Sequence, residues 1–227
     1  MPPVRKVTAP VLARQVSLRL FEDHAFGATS WLGVPIWKEP SDLWTYQQLM
    51  VELRPDLVVE TGTLFGGSAL YLATLCDLLG RGRVMTVDVA HLVDHPVPEH
   101  QRIEYLLGSS TSDAVISRIR AAAQSSQTVL VILDSDHRYV HVRDELHLYG
   151  PLVTPGSYMI VEDTAFDYTA STDFGPGPAA AVRDFLGRHH DFKVHAERER
   201  YLVTQNPGGY LRRTSACHTP QALPHRR

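Results

Sequence analysis

The chain has 227 residues, of which 44% are hydrophobic and 21% charged, and its net charge is −3. The length and composition are typical of one globular domain with a substantial core. The negative net charge and the absence of a long basic run argue against a nucleic-acid partner. The two cysteines, Cys76 and Cys217, show neither metal-ligand spacing nor a disulfide framework. The N-terminus lacks an apolar signal core and no apolar run is long enough to cross a bilayer, so we expect a cytoplasmic protein without a membrane partner.

The start of the chain reads as a helical and irregular cap. Val11–Phe26 has apolar residues at helical spacing, and this stripe could pack on a second subunit of a homo-oligomer. An irregular loop follows, in which Trp31 and Trp37 could cap a cofactor pocket or simply pack on the domain. We expect three parts: the cap at residues 1–40, the main domain at residues 41–213 and a disordered tail at residues 214–227.

Beyond the cap, predicted helices and strands alternate. A helix with Ser41 or Asp42 as its N-cap runs to about Leu53 and precedes a first strand that ends at Glu60. Later strands are predicted at Arg83–Val89, Ile103–Thr111, Thr128–His137 and Gly156–Thr164, and later helices after the first strand and at residues 112–124, 140–152 and 178–189. The segments FKVHAER, YLVTQ and GYLRR could supply final antiparallel strands. This alternation predicts an α/β fold with a doubly wound, mostly parallel sheet and helices on both faces.

The stretch LVVETGTLFGGS, at Leu57–Ser68, joins the first strand to its helix through a glycine turn. Its glycines, Gly62, Gly66 and Gly67, do not have the spacing of the dinucleotide fingerprint, and no Lys-Ser/Thr follows them as in a phosphate loop. Glu60 would also repel a pyrophosphate. The stretch therefore suits a cofactor with an amine or hydroxyl groups, although a plain turn with helix-packing glycines would look the same.

Acids stand at the ends of four predicted strands: Glu60, Asp88, Asp134 and the pair Glu162–Asp163. The carboxyl ends of parallel strands meet at one edge of a sheet, where the ligands of such folds bind. Carboxylates gathered there would repel one another unless a cation or the donors of a cofactor compensate. We therefore expect a ligand site at this edge.

Asp88 follows Glu60 by 28 residues and closes the second strand. An acid in this place can accept hydrogen bonds from both ribose hydroxyls of a nucleoside and disfavours a 2′-phosphate. Ser109, Ser110 or Thr111, at the end of the next strand, could meet the edge of an adenine ring.

Asp134, Glu162 and Asp163 offer hard oxygen donors from adjacent strand ends, which suits Mg²⁺ better than zinc. His137 lies three residues after Asp134 and is a candidate general base, because its side chain titrates nearest to neutral pH. Asp136 is the rival base or a further metal ligand.

The motifs VVETGTLFGGS, VDV, LDSDH and IVEDT, in this order, resemble those of class I S-adenosylmethionine (SAM)-dependent methyltransferases. The similarity is greater to the metal-dependent O-methyltransferases of the macrolide-sugar and cephalosporin hydroxylase type, and more distant to the catechol O-methyltransferase type. It covers about residues 37–192. The Glu162–Asp163 pair departs from the Asp-Asn pair of the catechol type and is nearer to the sugar-modifying members.

The resemblance implies a Rossmann-like, seven-stranded sheet with a reversed last strand, and a SAM-binding methyltransferase domain at residues 41–213. It implies a metal site for Mg²⁺ at Asp134, Glu162 and Asp163, and His137 or Asp136 as the catalytic base. The residues expected at the cofactor are Glu60, Gly62, Thr63, Gly66, Gly67, Ser68, Asp88, Ser109, Ser110 and Asp134.

The function so implied is Mg²⁺-dependent transfer of a methyl group from SAM to one hydroxyl of a vicinal diol. The diol would belong to a sugar or a phenol in a secondary metabolite such as an antibiotic. The chelated oxygen pair would be held in line with the sulfonium methyl group, so the protein itself needs no nucleophile. Two alternatives are a SAM-binding enzyme that catalyses a reaction other than methyl transfer, and a cofactor-binding subunit of a tailoring complex.

Overall fold

The structure, a computed structural model, describes residues 15–16, 18–20, 23, 25–90, 92, 94–168, 176–201 and 203–214. Its helices are α1 (Pro40–Leu53), α2 (Gly67–Leu79), α3 (Asp113–Gln124), α4 (Tyr139–Tyr149) and α5 (Pro178–Leu186). Its strands are β1 (Ser30–Trp31), β2 (Val34–Pro35), β3 (Leu57–Thr61), β4 (Arg83–Asp88), β5 (Ile103–Leu107), β6 (Val129–Leu133), β7 (Tyr158–Val161), β8 (Phe192–Val194) and β9 (Tyr210–Arg213). Among the described residues, no helix is both long and apolar enough to cross a membrane.

Seven of these strands form one sheet in the order β5-β4-β3-β6-β7-β9-β8. The pairs from β5 to β7 are parallel, whereas β9 lies antiparallel to both β7 and β8. The last strand is therefore reversed. The predicted α/β fold, a Rossmann-like, doubly wound, seven-stranded sheet, is confirmed.

Helices cover both faces of the sheet, which explains why β3, β6 and β7 are fully buried and read as continuous apolar runs. On one face, α3, α4 and α5 pack around Ile119, Leu146 and Phe185. On the other face, α1 and α2 pack around Tyr46 and Leu72. Cys76 is buried in this second layer, as expected.

Two predicted local features are wrong. The N-cap of α1 is Glu39 rather than Ser41 or Asp42, because Pro40 already takes the first turn. Asp42 turns inward instead and accepts hydrogen bonds from Thr204 Oγ1, Gln205 N and Tyr210 Oη. These bonds hold residues 204–205 of YLVTQ against α1, and the described part of the segment (residues 201 and 203–205) is not the expected strand.

The segment before α1 is tied closely to the sheet. Strands β1 and β2 form a two-stranded hairpin, and the Pro35–Ile36 backbone lies so close to Gly67 that a Cβ there would sit 2.2 Å from Pro35 O. Residues 15–16 and 18–20 are helical, in agreement with part of the predicted Val11–Phe26 helix. The rest of that predicted helix up to residue 14, residues 169–175 and the predicted tail from residue 215, with Cys217, lie outside the described residues. The division into 1–40, 41–213 and 214–227 stays a prediction.

Candidate functional site

The glycine turn after β3 lies at the carboxyl edge of the sheet, next to a buried carboxylate. Glu60 is fully buried; its Oε2 accepts a hydrogen bond from Thr86 Oγ1 at 2.7 Å, and Thr86 in turn meets Thr63 Oγ1 at 2.8 Å. Glu60 Oε1 makes no hydrogen bond of good geometry to any described group, and burial raises the pKa of Glu60. A buried carboxylate oxygen left in this state is suited to an amine or hydroxyl donor.

The three glycines of the turn have close protein neighbours. A Cβ on Gly62 would lie 1.9 Å from Asp134 O, one on Gly66 would lie 2.8 Å from Pro98 Cδ, and Gly67 is closed off by Pro35. The turn is therefore packed between the strand that carries Asp134 and the segment before α1. Ser68, which follows, is also buried.

The side chains at the two strand ends expected to meet a nucleoside have different hydrogen-bond partners. Asp88 accepts hydrogen bonds from Leu64 N at 2.9 Å and Val89 N at 2.7 Å, so its carboxylate holds the glycine turn against β4. Ser109 is half-buried and its hydroxyl lies 3.0 Å from Thr111 Oγ1. Ser110 turns inward instead, with its hydroxyl 3.0 Å from His141 Nε2.

Asp134, His137 and Asp163 come together at the same edge. One ligand atom of each lies within 4.8 Å of the others, and His137 Nε2 is 3.4 Å from Asp163 Oδ2. Asp163 has a φ of +57°, a conformation that non-glycine residues rarely adopt. Its N–H donates to Asn206 Oδ1 at 2.8 Å, which fixes the carboxylate toward His137. Burial raises the pKa of Asp163, although the neighbouring His137 opposes the shift.

Glu162 faces a different partner from that of Asp163. Its Oε1 accepts a hydrogen bond at 2.6 Å from the Lys38 ammonium, which also donates to Asp134 Oδ2 at 2.6 Å. The side chain of Lys38 is 3% exposed. Burial alone would favour a neutral amine, but the Asp134 and Glu162 carboxylates outweigh it and raise the pKa of Lys38. Burial, together with the nearby charge of Glu162, raises the pKa of Tyr46 in α1.

The two candidate bases, Asp136 and His137, contact different side chains. The Arg138 guanidinium pairs with Asp136 and lowers its pKa to about 2, which makes this carboxylate a weak proton acceptor. His137 instead faces Asp163, and its ring packs edge-on against Phe166 at a centroid distance of 4.8 Å. The geometry favours His137 over Asp136 as the base.

The two tryptophans of the cap also differ. Trp31 packs edge-on against Tyr71 and donates from Nε1 to Thr74 Oγ1, so it packs on α2. Trp37 is half-exposed and lies edge-on to Phe65 of the glycine turn at 5.2 Å. Trp37 therefore remains the candidate for the rim of a pocket.

Two features of the site were not predicted from the sequence: Lys38 and a buried network behind Asp134. Ser135 Oγ donates to Glu145 Oε1 at 2.7 Å, and this carboxylate lies 3.4 Å from His141 Nε2, which also meets Ser110. The bond to Glu145 raises the pKa of His141. The i, i+4 spacing of His141 and Glu145 was the available signal, since it places both on one face of α4.

These residues fit the groups that the resemblance implies. An ammonium held between Asp134 and Glu162 shows that this place accepts a cation, and Asp163 adds oxygen donors of the kind that Mg²⁺ prefers. Glu60 Oε1 can accept from the amine of SAM, and Asp88 retains acceptor capacity for ribose hydroxyls.

Comparison with known proteins supports the family resemblance. The chain matches the model of the rhamnosyl O-methyltransferase/CmcI family over residues 24–214. A curated rhamnosyl O-methyltransferase from Mycobacterium tuberculosis (strain ATCC 25618 / H37Rv) is 37% identical over 189 residues, covering 81% of this chain and 77% of the relative. A second rhamnosyl O-methyltransferase, from Mycobacterium leprae (strain TN), is 33% identical over 199 residues, which cover 84% of this chain and 86% of the relative.

Solved structures of CmcI share the fold. The D160 form with magnesium and SAM superposes with a TM-score of 0.67 at 21% identity, covering 83% of this chain and 78% of that chain. The apo N160 form gives a TM-score of 0.66 at 19% identity, covering 95% and 88%. The resemblance carried by the strand-end motifs is thus confirmed, and the chain belongs to the rhamnosyl O-methyltransferase/CmcI family.

Proposed function

We propose that this chain is a Mg²⁺- and SAM-dependent O-methyltransferase that methylates one hydroxyl of a vicinal diol on a sugar, such as a rhamnosyl group. The observation that carries the proposal is the convergence of Asp134, His137 and Asp163 within 4.8 Å at the carboxyl edge of the sheet, beside the glycine turn. The names of the curated relatives support a sugar acceptor. A secondary metabolite such as an antibiotic is the context that the motifs suggest.

In this mechanism, separate residues would hold the metal, hold SAM and accept the proton. When bound, SAM supplies an electrophilic methyl group and Mg²⁺ supplies positive charge that lowers the pKa of a coordinated hydroxyl. Asp134, Glu162 and Asp163 would hold the metal, while Glu60 and Asp88 would hold the amine and ribose of SAM.

His137 would take the proton from the acceptor hydroxyl. Asp163, with Oδ2 3.4 Å from Nε2, would stabilise the imidazolium that results. Phe166, packed on the His137 ring, keeps the imidazole in place and excludes water from one side. Trp37, at the outer rim of the glycine turn, could contact the apolar body of the acceptor.

The first test is calorimetric titration of SAM and S-adenosylhomocysteine into the purified chain, once with Mg²⁺ and once with EDTA. We expect both to bind under either condition, because Asp134 is the one residue that the expected SAM contacts share with the proposed metal ligands. Absence of binding in both conditions would reject the methyltransferase mechanism for the isolated chain.

The second test is incubation of the chain, SAM and Mg²⁺ with aryl rhamnosides, followed by mass spectrometry of the product. A gain of one CH₂ that EDTA abolishes is the expected result. A product of a different mass would indicate another SAM-dependent reaction, and binding without any product would favour a cofactor-binding subunit. Matched rhamnosides with one hydroxyl of the diol removed would show which oxygen pair is needed.

A further inference from the structure

Lys38 stands where the proposed metal should be bound. Its ammonium lies 2.6 Å from both Asp134 Oδ2 and Glu162 Oε1, and the Lys38 and Glu162 side chains are 3% and 6% exposed. Among the described residues, no other lysine or arginine is paired with either acid. Two of the three carboxylates expected at the metal are thus paired with one buried ammonium, whose single charge offsets part of theirs.

The backbone that carries Lys38 is fixed by its surroundings. Thr29 Oγ1 accepts from Lys38 N and donates to Lys38 O, both at 3.2 Å. Trp37, directly before it, has a φ of +49°, which turns the chain so that Trp37 faces outward and Lys38 inward. Farther back, the Pro35–Ile36 backbone rests on Gly67. The inward direction of Lys38 is therefore built into the segment, whereas the position of its ammonium also depends on a flexible four-carbon side chain.

We propose that Lys38 is a built-in cation that pairs with Asp134 and Glu162 in the metal-free chain and competes with the divalent cation for these carboxylates. The inference rests on the proposed Mg²⁺ dependence. A dication bound between the same oxygens would lie within a few ångströms of the ammonium, and repulsion at that distance is strong in a buried site. The ammonium must therefore leave the carboxylates when the metal enters. Lys38 would set how tightly the metal binds and would keep the empty site folded.

The test measures metal affinity, with Mn²⁺ as the probe followed by electron paramagnetic resonance. Lys38→Met removes the charge, and Lys38→Gln removes it while keeping N–H donors, in case the methionine variant fails to fold. Lys193→Met is the matched control, because Lys193 is exposed on β8. We expect Lys38→Gln and Lys38→Met to bind Mn²⁺ roughly tenfold or more tightly than the wild type, and Lys193→Met to match the wild type.

A second measurement uses the wild-type chain and does not depend on any variant. Lys6, Lys38 and Lys193 are the three lysines, so labelling with an amine reagent can be mapped by mass spectrometry. Addition of Mg²⁺ should raise labelling of Lys38 and leave that of Lys193 unchanged. Without metal, Lys38→Gln should have a lower melting temperature than the wild type, and Mg²⁺ should raise it more in the variant.

The outcomes separate this inference from the proposed function. Equal or weaker Mn²⁺ binding by the Lys38 variants, or Mg²⁺-independent labelling of Lys38, would overturn the competition while leaving the metal in place. Absence of Mn²⁺ binding in the wild type and both Lys38 variants would overturn the metal dependence itself, and the competition with it.

Discussion

Replacement of Gly62 by alanine should damage both the fold and the metal site. Gly62 directly follows β3 and has a φ of +88°. A Cβ there would lie 1.9 Å from Asp134 O and 2.7 Å from Asp134 C. These are backbone atoms, so no side-chain rotation can relieve the overlap. The turn or the strand end that carries Asp134 must move.

Gly156 provides the matched control. Its φ is +89°, and no atom lies within 4 Å of the position where its Cβ would be. Both substitutions therefore meet the same conformational strain, about 1–2 kcal/mol, and the same opposing gain of about 0.4–1 kcal/mol from the unfolded state. Only Gly62→Ala adds overpacking, which costs about 1–3 kcal/mol. We expect a loss of about 1 kcal/mol for Gly156→Ala and of about 2–4 kcal/mol for Gly62→Ala.

Urea unfolding of the wild type and both variants, in EDTA, measures these differences in the free energy of unfolding. Titration with Mn²⁺ should also show weaker binding for Gly62→Ala alone, since only this variant displaces Asp134. If the two alanine variants lose the same stability within about 0.5 kcal/mol, a methyl group at Gly62 does not clash with the Asp134 backbone, and the predicted overpacking is refuted.

Three further predictions concern the cofactor, the base and a buried acid. Asp88→Asn should weaken SAM binding in calorimetry, and unchanged affinity would remove Asp88 from the ribose. His137→Ala should lower kcat by ~10²–10⁴-fold while SAM affinity stays near that of the wild type; a larger loss in Asp136→Ala would identify that residue as the base instead. Burial raises the pKa of Asp42 from 3.8 to about 6, so the folded chain keeps a proton that the unfolded chain releases. This raised pKa should make stability fall by up to about 3 kcal/mol as pH rises from about 4 to about 6. Asp42→Asn should abolish this pH-dependent change in urea titrations, and an unaltered slope would exclude Asp42 as its source.

The sheet was predictable because its strands are buried on both faces. The runs LVV before Glu60 and VLVIL before Asp134 are apolar without alternation, and each ends where the chain turns polar. The acids that follow were predictable as a group for the same reason, since parallel strands bring their carboxyl ends to one edge. The N-cap of α1 was not predictable. Asp42 is of a residue type that is common at N-caps, but its carboxylate instead accepts buried hydrogen bonds from Thr204 and Tyr210.

Contacts between distant parts of the chain were beyond the reach of local patterns. Lys38 occupies an irregular loop between a tryptophan and a Glu-Pro pair, and nothing in that loop indicates that its ammonium reaches across to Glu162. Asn206, which orients Asp163, follows a segment that reads as a strand. Neither pairing leaves a periodicity or a spacing that a sequence can show.

The order of residues along the chain also determines when the site can form. Lys38 is synthesised before the acids of the site, whereas Asn206, which holds Asp163, and Gly209, whose carbonyl accepts from Val161 N, are synthesised after them. The acids at positions 134, 162 and 163 are made between these events and cannot be arranged until the reversed strand is inserted. A chain arrested before residue 203 would therefore expose an unfinished, negatively charged sheet edge, and binding of the proposed metal should report insertion of the reversed strand rather than early folding.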